Sequence, residues 1–218
     1  MANAPIRTRP NLARPVWTTR RKLMGNLLPA AVSLPFAGAG IAVMLVRSQI
    51  LGLGLALLAG FPIAAWLGAN YLGLYQNRKM RNEMQRRLRA AREKVTSRRY
   101  FVGAATPRHK GLLDPHEDVG YLILHADRLE FFGEKLNINL DRGQVTRVRT
   151  RPNPHSFVGL GGWTSIEATL DGSPARLEVE LRERDTLLAN RLMAKQLRKR
   201  LDLWLKESQT GPAEAEPA

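Results

Sequence analysis

The chain has 218 residues, with 34 Lys and Arg against 19 Asp and Glu for a formal charge of +15, and it contains no cysteine. The absence of cysteine excludes disulfides, thiolate metal sites and cysteine nucleophiles together. The charge argues against a nucleic-acid-binding domain because of where it lies. Residues 1–23 carry six basic residues and no acid, 77–99 carry ten against Glu83 and Glu93, and the chain from Tyr100 onward carries seventeen of each sign. The folded part is therefore neutral, and the excess flanks two apolar runs.

Residues 1–22, with Pro5, Pro10, Pro15 and scattered Arg, read as a disordered basic arm. The apolar runs follow at Leu23 to Val46 and Ile50 to Tyr75, separated by Arg47, Ser48 and Gln49. As helices they would extend about 36 to 39 Å, enough to cross a hydrocarbon core of about 30 Å. This predicts a transmembrane hairpin over 23–76 that is integral to the lipid bilayer. A cleaved signal peptide ending near Ala37-Gly38-Ala39 is the alternative for the first run, but that run is too long for one and a second span follows at once. The basic flanks place both termini in the cytoplasm. Trp17, Trp66, Tyr71 and Tyr75 suit aromatic anchoring at the headgroups. In the second span Gly52, Ala56, Gly60, Ala64 and Gly68 recur every four residues and are read as a helix-packing face toward Ser33, Ala37, Gly38 and Gly40 of the first. The spans contain no ionisable residue, which argues against a transport path.

Residues 77–98 read as a continuation of the second helix, a basic stalk with Met80, Met84, Leu88, Ala91 and Val95 along one side. That stripe is either a minor packing seam or a dimer contact. Arg86, Arg87, Arg89 and Arg92 on the same segment suit anionic lipid headgroups.

From residue 99 the apolar period changes to two, predicting strands over Tyr100 to Ala104, Gly120 to His125, Arg128 to Phe132, Leu136 to Leu140, Val145 to Arg151, Ser165 to Leu170 and Ala175 to Arg182. In the last of these Leu177, Val179 and Leu181 face inward, and Arg176, Glu178, Glu180 and Arg182 face outward. Asp171-Gly172 marks a hairpin turn. Asp185 or Thr186 caps a final amphipathic helix running to about Lys206, and residues 209–218 form a disordered tail. The segment 99–208, balanced in charge and with an internal apolar face, is expected to fold by itself.

Antiparallel strands closed by one C-terminal helix, with Gly120-Tyr-Leu-Ile-Leu-His-Ala-Asp-Arg-Leu-Glu-Phe-Phe-Gly133, then Leu136 to Val148, then Val158-Gly-Leu-Gly-Gly-Trp163, resemble bacterial PH-like domains of the pleckstrin-homology or GRAM type. Many such proteins also carry two N-terminal spans. The resemblance implies an α+β fold: a transmembrane hairpin followed by a PH-like antiparallel β-barrel or sandwich capped by a C-terminal helix. It implies a binding or scaffolding module with a protein partner or homo-oligomer, and it brings no catalytic residue.

The residues themselves add little chemistry. His109, His116, His125 and His155 form no HExxH or HxxxH pair, and Gly159, Gly161 and Gly162 lie in the wrong context for a nucleotide fingerprint. Asp114, His116, Glu117 and Asp118 are more simply a surface acidic loop than a cation site. No metal, cofactor or enzymatic activity is expected. Arg147, Arg149 and Arg151 fall on one strand face, where they either grip a phospholipid headgroup or pair with Glu167, Glu178 or Glu180.

Overall fold

The computed structural model describes residues 6–8, 15–46, 50–91, 98–109, 111 and 115–207. Two apolar helices come first, α1 (Thr19–Val46) and α2 (Leu51–Leu72), and both are long and apolar enough to cross a membrane. They pack against each other as an antiparallel pair, and their outward faces carry exposed Leu34, Ile41, Leu45, Val46, Leu53, Leu55 and Ile63.

Small residues set the spacing of this pair. A methyl group at Gly68 would meet Pro29 Cα at 3.0 Å, and one at Gly40 would meet the Gly54 carbonyl oxygen at 3.0 Å. The predicted five-residue packing face is corrected in its outer half. Gly60, Ala64 and Gly68 lie toward α1, whereas Gly52 and Ala56 are exposed and Gly54 is buried in their place. Four residues at about 100° each overshoot a full turn by about 40°, so a strict spacing of four winds off the face within a few steps. Gly68→Leu is therefore expected to cost about 1–3 kcal/mol through overpacking. The same change at Gly52, with nothing within 4 Å, should cost nothing. Thermal unfolding of the two variants in detergent checks this.

The predicted continuous stalk is also corrected. The chain turns through Gly73 to Gln76, where Gln76 takes φ 56°, and a separate helix α3 (Asn77–Ala91) begins. The turn has a packing reason, because Met80, Met84 and Leu88 are fully buried against a sheet rather than solvated or free for a dimer seam. The stalk's Ala91 is exposed, and Arg92 and Val95 lie outside the described residues.

Among the described residues the sheet has eight antiparallel strands: β1 (Ile6–Thr8), β2 (Arg98–Ala105), β3 (Asp118–Leu124), β4 (Arg128–Gly133), β5 (Leu136–Asp141), β6 (Val145–Arg151), β7 (Trp163–Leu170) and β8 (Ser173–Leu181). Their order is β1-β5-β4-β3-β2-β8-β7-β6. The sheet bends so that Val102, Leu122, Phe131, Ile138, Val148, Ile166 and Val179 share one core, closed by Leu197, Leu201 and Trp204 of the last helix α4 (Leu187–Lys206). Thr186 caps α4, its hydroxyl accepting from Ala189 N.

The sheet does not close into a barrel, one of the two forms expected. β5 and β6, joined by the short turn Arg142–Gln144, do not pair with each other, and the outer edge of β5 is taken by β1 through Ile6 opposite Ile138. A cavity of about 400 Å³ opens at the gap between Ile138, Leu140, Ala168 and Leu177. Residues 1–22 are likewise not wholly a disordered arm, because Ile6–Thr8 is a strand and Val16 and Trp17 are buried.

Strands β2 to β4 are covered on both faces. On the side away from the shared core, Phe101, Val119, Tyr121, Ile123 and Phe132 pack under Met80, Met84, Leu88, Val16 and Trp17. Trp17 is thus a core residue, not a headgroup anchor. A third contact joins the foot of α2 to the domain, with Leu74, Leu160 and Leu187 buried together beside Trp66.

Candidate functional site

The foot of the hairpin, α3 and the sheet meet over a buried polar cluster. Its centre is Glu180 on β8, which is almost fully buried. His116, just before β3, places Nε2 2.9 Å from Glu180 Oε2. His155, in the 3-10 turn after β6, places Nδ1 at 3.1 Å, and Asn153 donates its side-chain amide to Oε1 at 2.8 Å. Two glycines make room for this. A side chain at Gly103 on β2 would run into the His116 imidazole, and one at Gly161 would run into the Glu180 carboxylate. Trp163 meets the His116 ring edge-on at 5.2 Å, and Trp17 does so from the hairpin side at 6.2 Å.

The cluster extends into the helices. Arg182 lies over the Trp17 ring at 4.8 Å, and its Nε donates to Asn77 Oδ1 at 3.1 Å. Asn77, the first residue of α3, returns a bond from Nδ2 to the Arg182 carbonyl at 2.6 Å. Glu134, in the β4–β5 turn, accepts the backbone amides of Val16 and of Trp17, the latter at 2.7 Å, so one carboxylate fixes the chain as it enters α1. Asn70 near the end of α2 accepts from Leu188 N of α4 at 2.9 Å.

Burial and the neighbouring charges together set the protonation states. Loss of water pushes the His116 pKa below its usual value, with Arg182 and His155 adding to the effect against the pull of Glu180. Burial alone would raise Glu180, but the charges and hydrogen bonds of His155 and His116 outweigh it and hold the carboxyl well below its usual range. Asp118 is pushed up to about 6 by burial, although it accepts the amides of Lys135 and Leu136 at 2.8 Å each. The cluster is thus an ionised carboxylate enclosed by donors, with only about 30 Å³ of space beside it between Trp17, His116, His155 and Arg182. Such an arrangement locks elements together.

The residues singled out from the sequence are scattered. Arg149 and Arg151 both reach Glu167 Oε1, at 2.5 and 3.1 Å, and Arg147 stands opposite Glu167 in the ladder. On α3, Arg86 pairs with Glu83 at 2.5 Å, Arg87 turns inward to Glu134 at 3.5 Å and Arg89 is exposed. Arg92 lies outside the described residues. Among the described residues the acidic loop does not converge: His116 meets Glu180, Glu117 accepts from the Thr106 hydroxyl at 2.7 Å, and Asp118 takes backbone amides, while Asp114 lies outside the described residues. Among the described residues no metal-holding group of His, Asp and Glu is present. His125 lies 3.3 Å from Glu130, and Gly159 takes φ 71° to end its turn.

Sequence reading missed the cluster because it assigned Glu180 and Arg182 to a solvated face. They do point away from the shared core, but that face is covered by Trp17, α3 and the 153–163 loop. A signal was present: Gly103 in the middle of an apolar strand marks a close approach. Comparison of the chain with models of known protein families and with curated proteins finds no match.

Proposed function

We propose that this chain is a membrane-anchored, noncatalytic PH-like module that recruits or scaffolds protein at the cytoplasmic surface of the inner membrane. Seven antiparallel strands, β2 to β8, followed by one amphipathic helix support the PH-like reading. The exposed apolar faces of α1 and α2, and the basic residues at their feet, support the membrane reading.

The observation that carries recruitment is the outer edge of β6. Among the described residues this strand pairs only with β7, leaving one row of backbone donors and acceptors open over Val145–Arg151. An open edge accepts an extended segment as an added strand, and the arginines of β6 favour an acidic one. The runner-up, an anionic-lipid or small-ligand sensor using Arg147, Arg149 and Arg151, is weakened because Glu167 already shares two of the three.

A photo-crosslinking residue at position 147 in native membranes separates the two readings. A discrete protein adduct, lost in Thr150→Pro, an exposed position on the same strand, while the protein still folds in the membrane, is the expected result. Adducts with lipid alone would overturn recruitment in favour of the sensor.

A further inference from the structure

The loop between β6 and β7 is held against α2 well above the foot of that helix. Trp66 lies six residues before the end of α2, about 9 Å along its axis. Its indole Nε1 donates to the Val158 carbonyl at 3.1 Å. Leu160 anchors the loop from below, fully buried with Leu74 and Leu187. The loop is braced internally as well, since Asn153 Oδ1 accepts Ser156 N at 3.0 Å and Ser156 Oγ donates to the Asn153 carbonyl at 2.6 Å. On this rigid support Phe157 is 90% exposed and Val158 48% exposed.

We propose that the segment Asn153–Leu160 is a third membrane contact, seated in the headgroup layer of the bilayer that α1 and α2 cross, with Phe157 inserted among the acyl chains. This rests on the membrane reading of the two helices. If they span a bilayer, the height of Trp66 brings the loop to the boundary where indole rings settle, and the medium around Phe157 is lipid. Charge fits the same occupant. Beside the loop, a cleft of about 670 Å³ against α4 is lined by Arg191, Lys195, Arg198 and Lys199, with Asp202, 3.7 Å from Arg198, as its single acid, while Arg151 at its edge is held by Glu167. Arg191 closes the cleft on the loop by donating to the Gly159 carbonyl. Cations in such a row suit the phosphates of anionic lipids around an inserted aromatic residue. The domain would then lie down on the membrane in one orientation rather than stand off it.

The chain has no cysteine, so single nitroxide labels can be placed by Leu55→Cys, Phe157→Cys and Ser173→Cys in the full protein in phosphatidylcholine–phosphatidylglycerol nanodiscs. Position 55 is on the exposed face of α2, and Ser173 is exposed at the far end of β7 from the loop. Collision with oxygen and with an aqueous nickel chelate reads the depth of each label. The label at 55 should be in hydrocarbon and that at 173 in water. The label at 157 should lose nickel collisions several-fold relative to 173, with a smaller loss in discs of phosphatidylcholine alone. A label at 157 as water-exposed as that at 173, with 55 in lipid, would overturn the proposal and leave the hairpin standing. A label at 55 in water would overturn the membrane reading itself. Equal depth at 157 in both lipid compositions would remove the role given to the cations.

Discussion

A fragment starting at Arg98, carrying β2 to α4 without the helices before them, is expected to be molten or insoluble. Charge balance and apolar periodicity by themselves predict the opposite, an independent domain over 99–208. In the structure Phe101, Val119, Tyr121, Ile123 and Phe132 on β2 to β4 are covered by Val16, Trp17, Met80, Met84 and Leu88, all N-terminal to the cut. Each large apolar side chain returned to water forfeits about 1.5–3 kcal/mol. Five of them together forfeit an amount comparable with the whole stability of an ordinary domain, about 5–15 kcal/mol. The fragment should bind a hydrophobic dye and melt without a sharp transition, whereas the full chain in detergent should unfold cooperatively. A soluble, cooperatively folding fragment would show that this second apolar face needs no cover.

The second large effect is expected at Glu180. Glu180→Ala removes the carboxylate that meets His155 and Asn153 and lies 2.9 Å from His116, leaving the buried His116 and Asn153 without it, a change that costs about 3–5 kcal/mol. The pH dependence separates this cluster from generic loss of packing. His116 holds its proton less tightly folded than unfolded, so the unfolded chain binds more protons as pH falls through 6.5, and stability declines with it. Glu180, depressed in the folded state, works in the same direction at lower pH, as its contribution is lost when pH falls below about its ordinary 4.5. Asp118 has the opposite sign, since its folded value of about 6 lies above the unfolded 3.8 and protonation in that interval favours the folded state. His116→Gln should therefore be weaker than the unaltered protein at pH 7.5, and the gap should narrow toward pH 5. A gap that stays constant would mean that His116 does not titrate between the two states.

The strands were legible because each carries a local period of two. Leu136 to Leu140 alternates cleanly, and the structure places its apolar residues in the core. α4 was legible from its cap at Thr186 and its apolar stripe. What sequence could not supply was the partner of each face. Met80, Met84 and Leu88 announced a narrow stripe, but nothing local says that the stripe lies on Phe101 and Phe132 rather than on a second helix. Trp17 stands just before a long apolar run, where an anchoring role is the simplest reading. Only the fold reveals Arg182 over its ring and the carboxylate of Glu134 on its amide. The helix break at Gln76 has no local sequence signal for a related reason: the break is driven by the sheet that α3 must cover. The buried cluster at Glu180 joins residues 103, 116, 153, 155, 161 and 180, a constellation that no sequence window contains.

Hairpin and sheet domain form one packed unit, joined through Asn70 and Leu188, Leu74 and Leu187, and Trp17 and Arg182. Spin labels at Ile63→Cys on α2 and Leu192→Cys on α4, both exposed positions, test it most directly in the otherwise cysteine-free chain. Distances measured by pulsed electron resonance in nanodiscs should give a single narrow distribution, unchanged between neutral and anionic lipid. A broad or multiple distribution would mean that the domain swings freely on its helices, and would contradict the packed junction on which the rest depends.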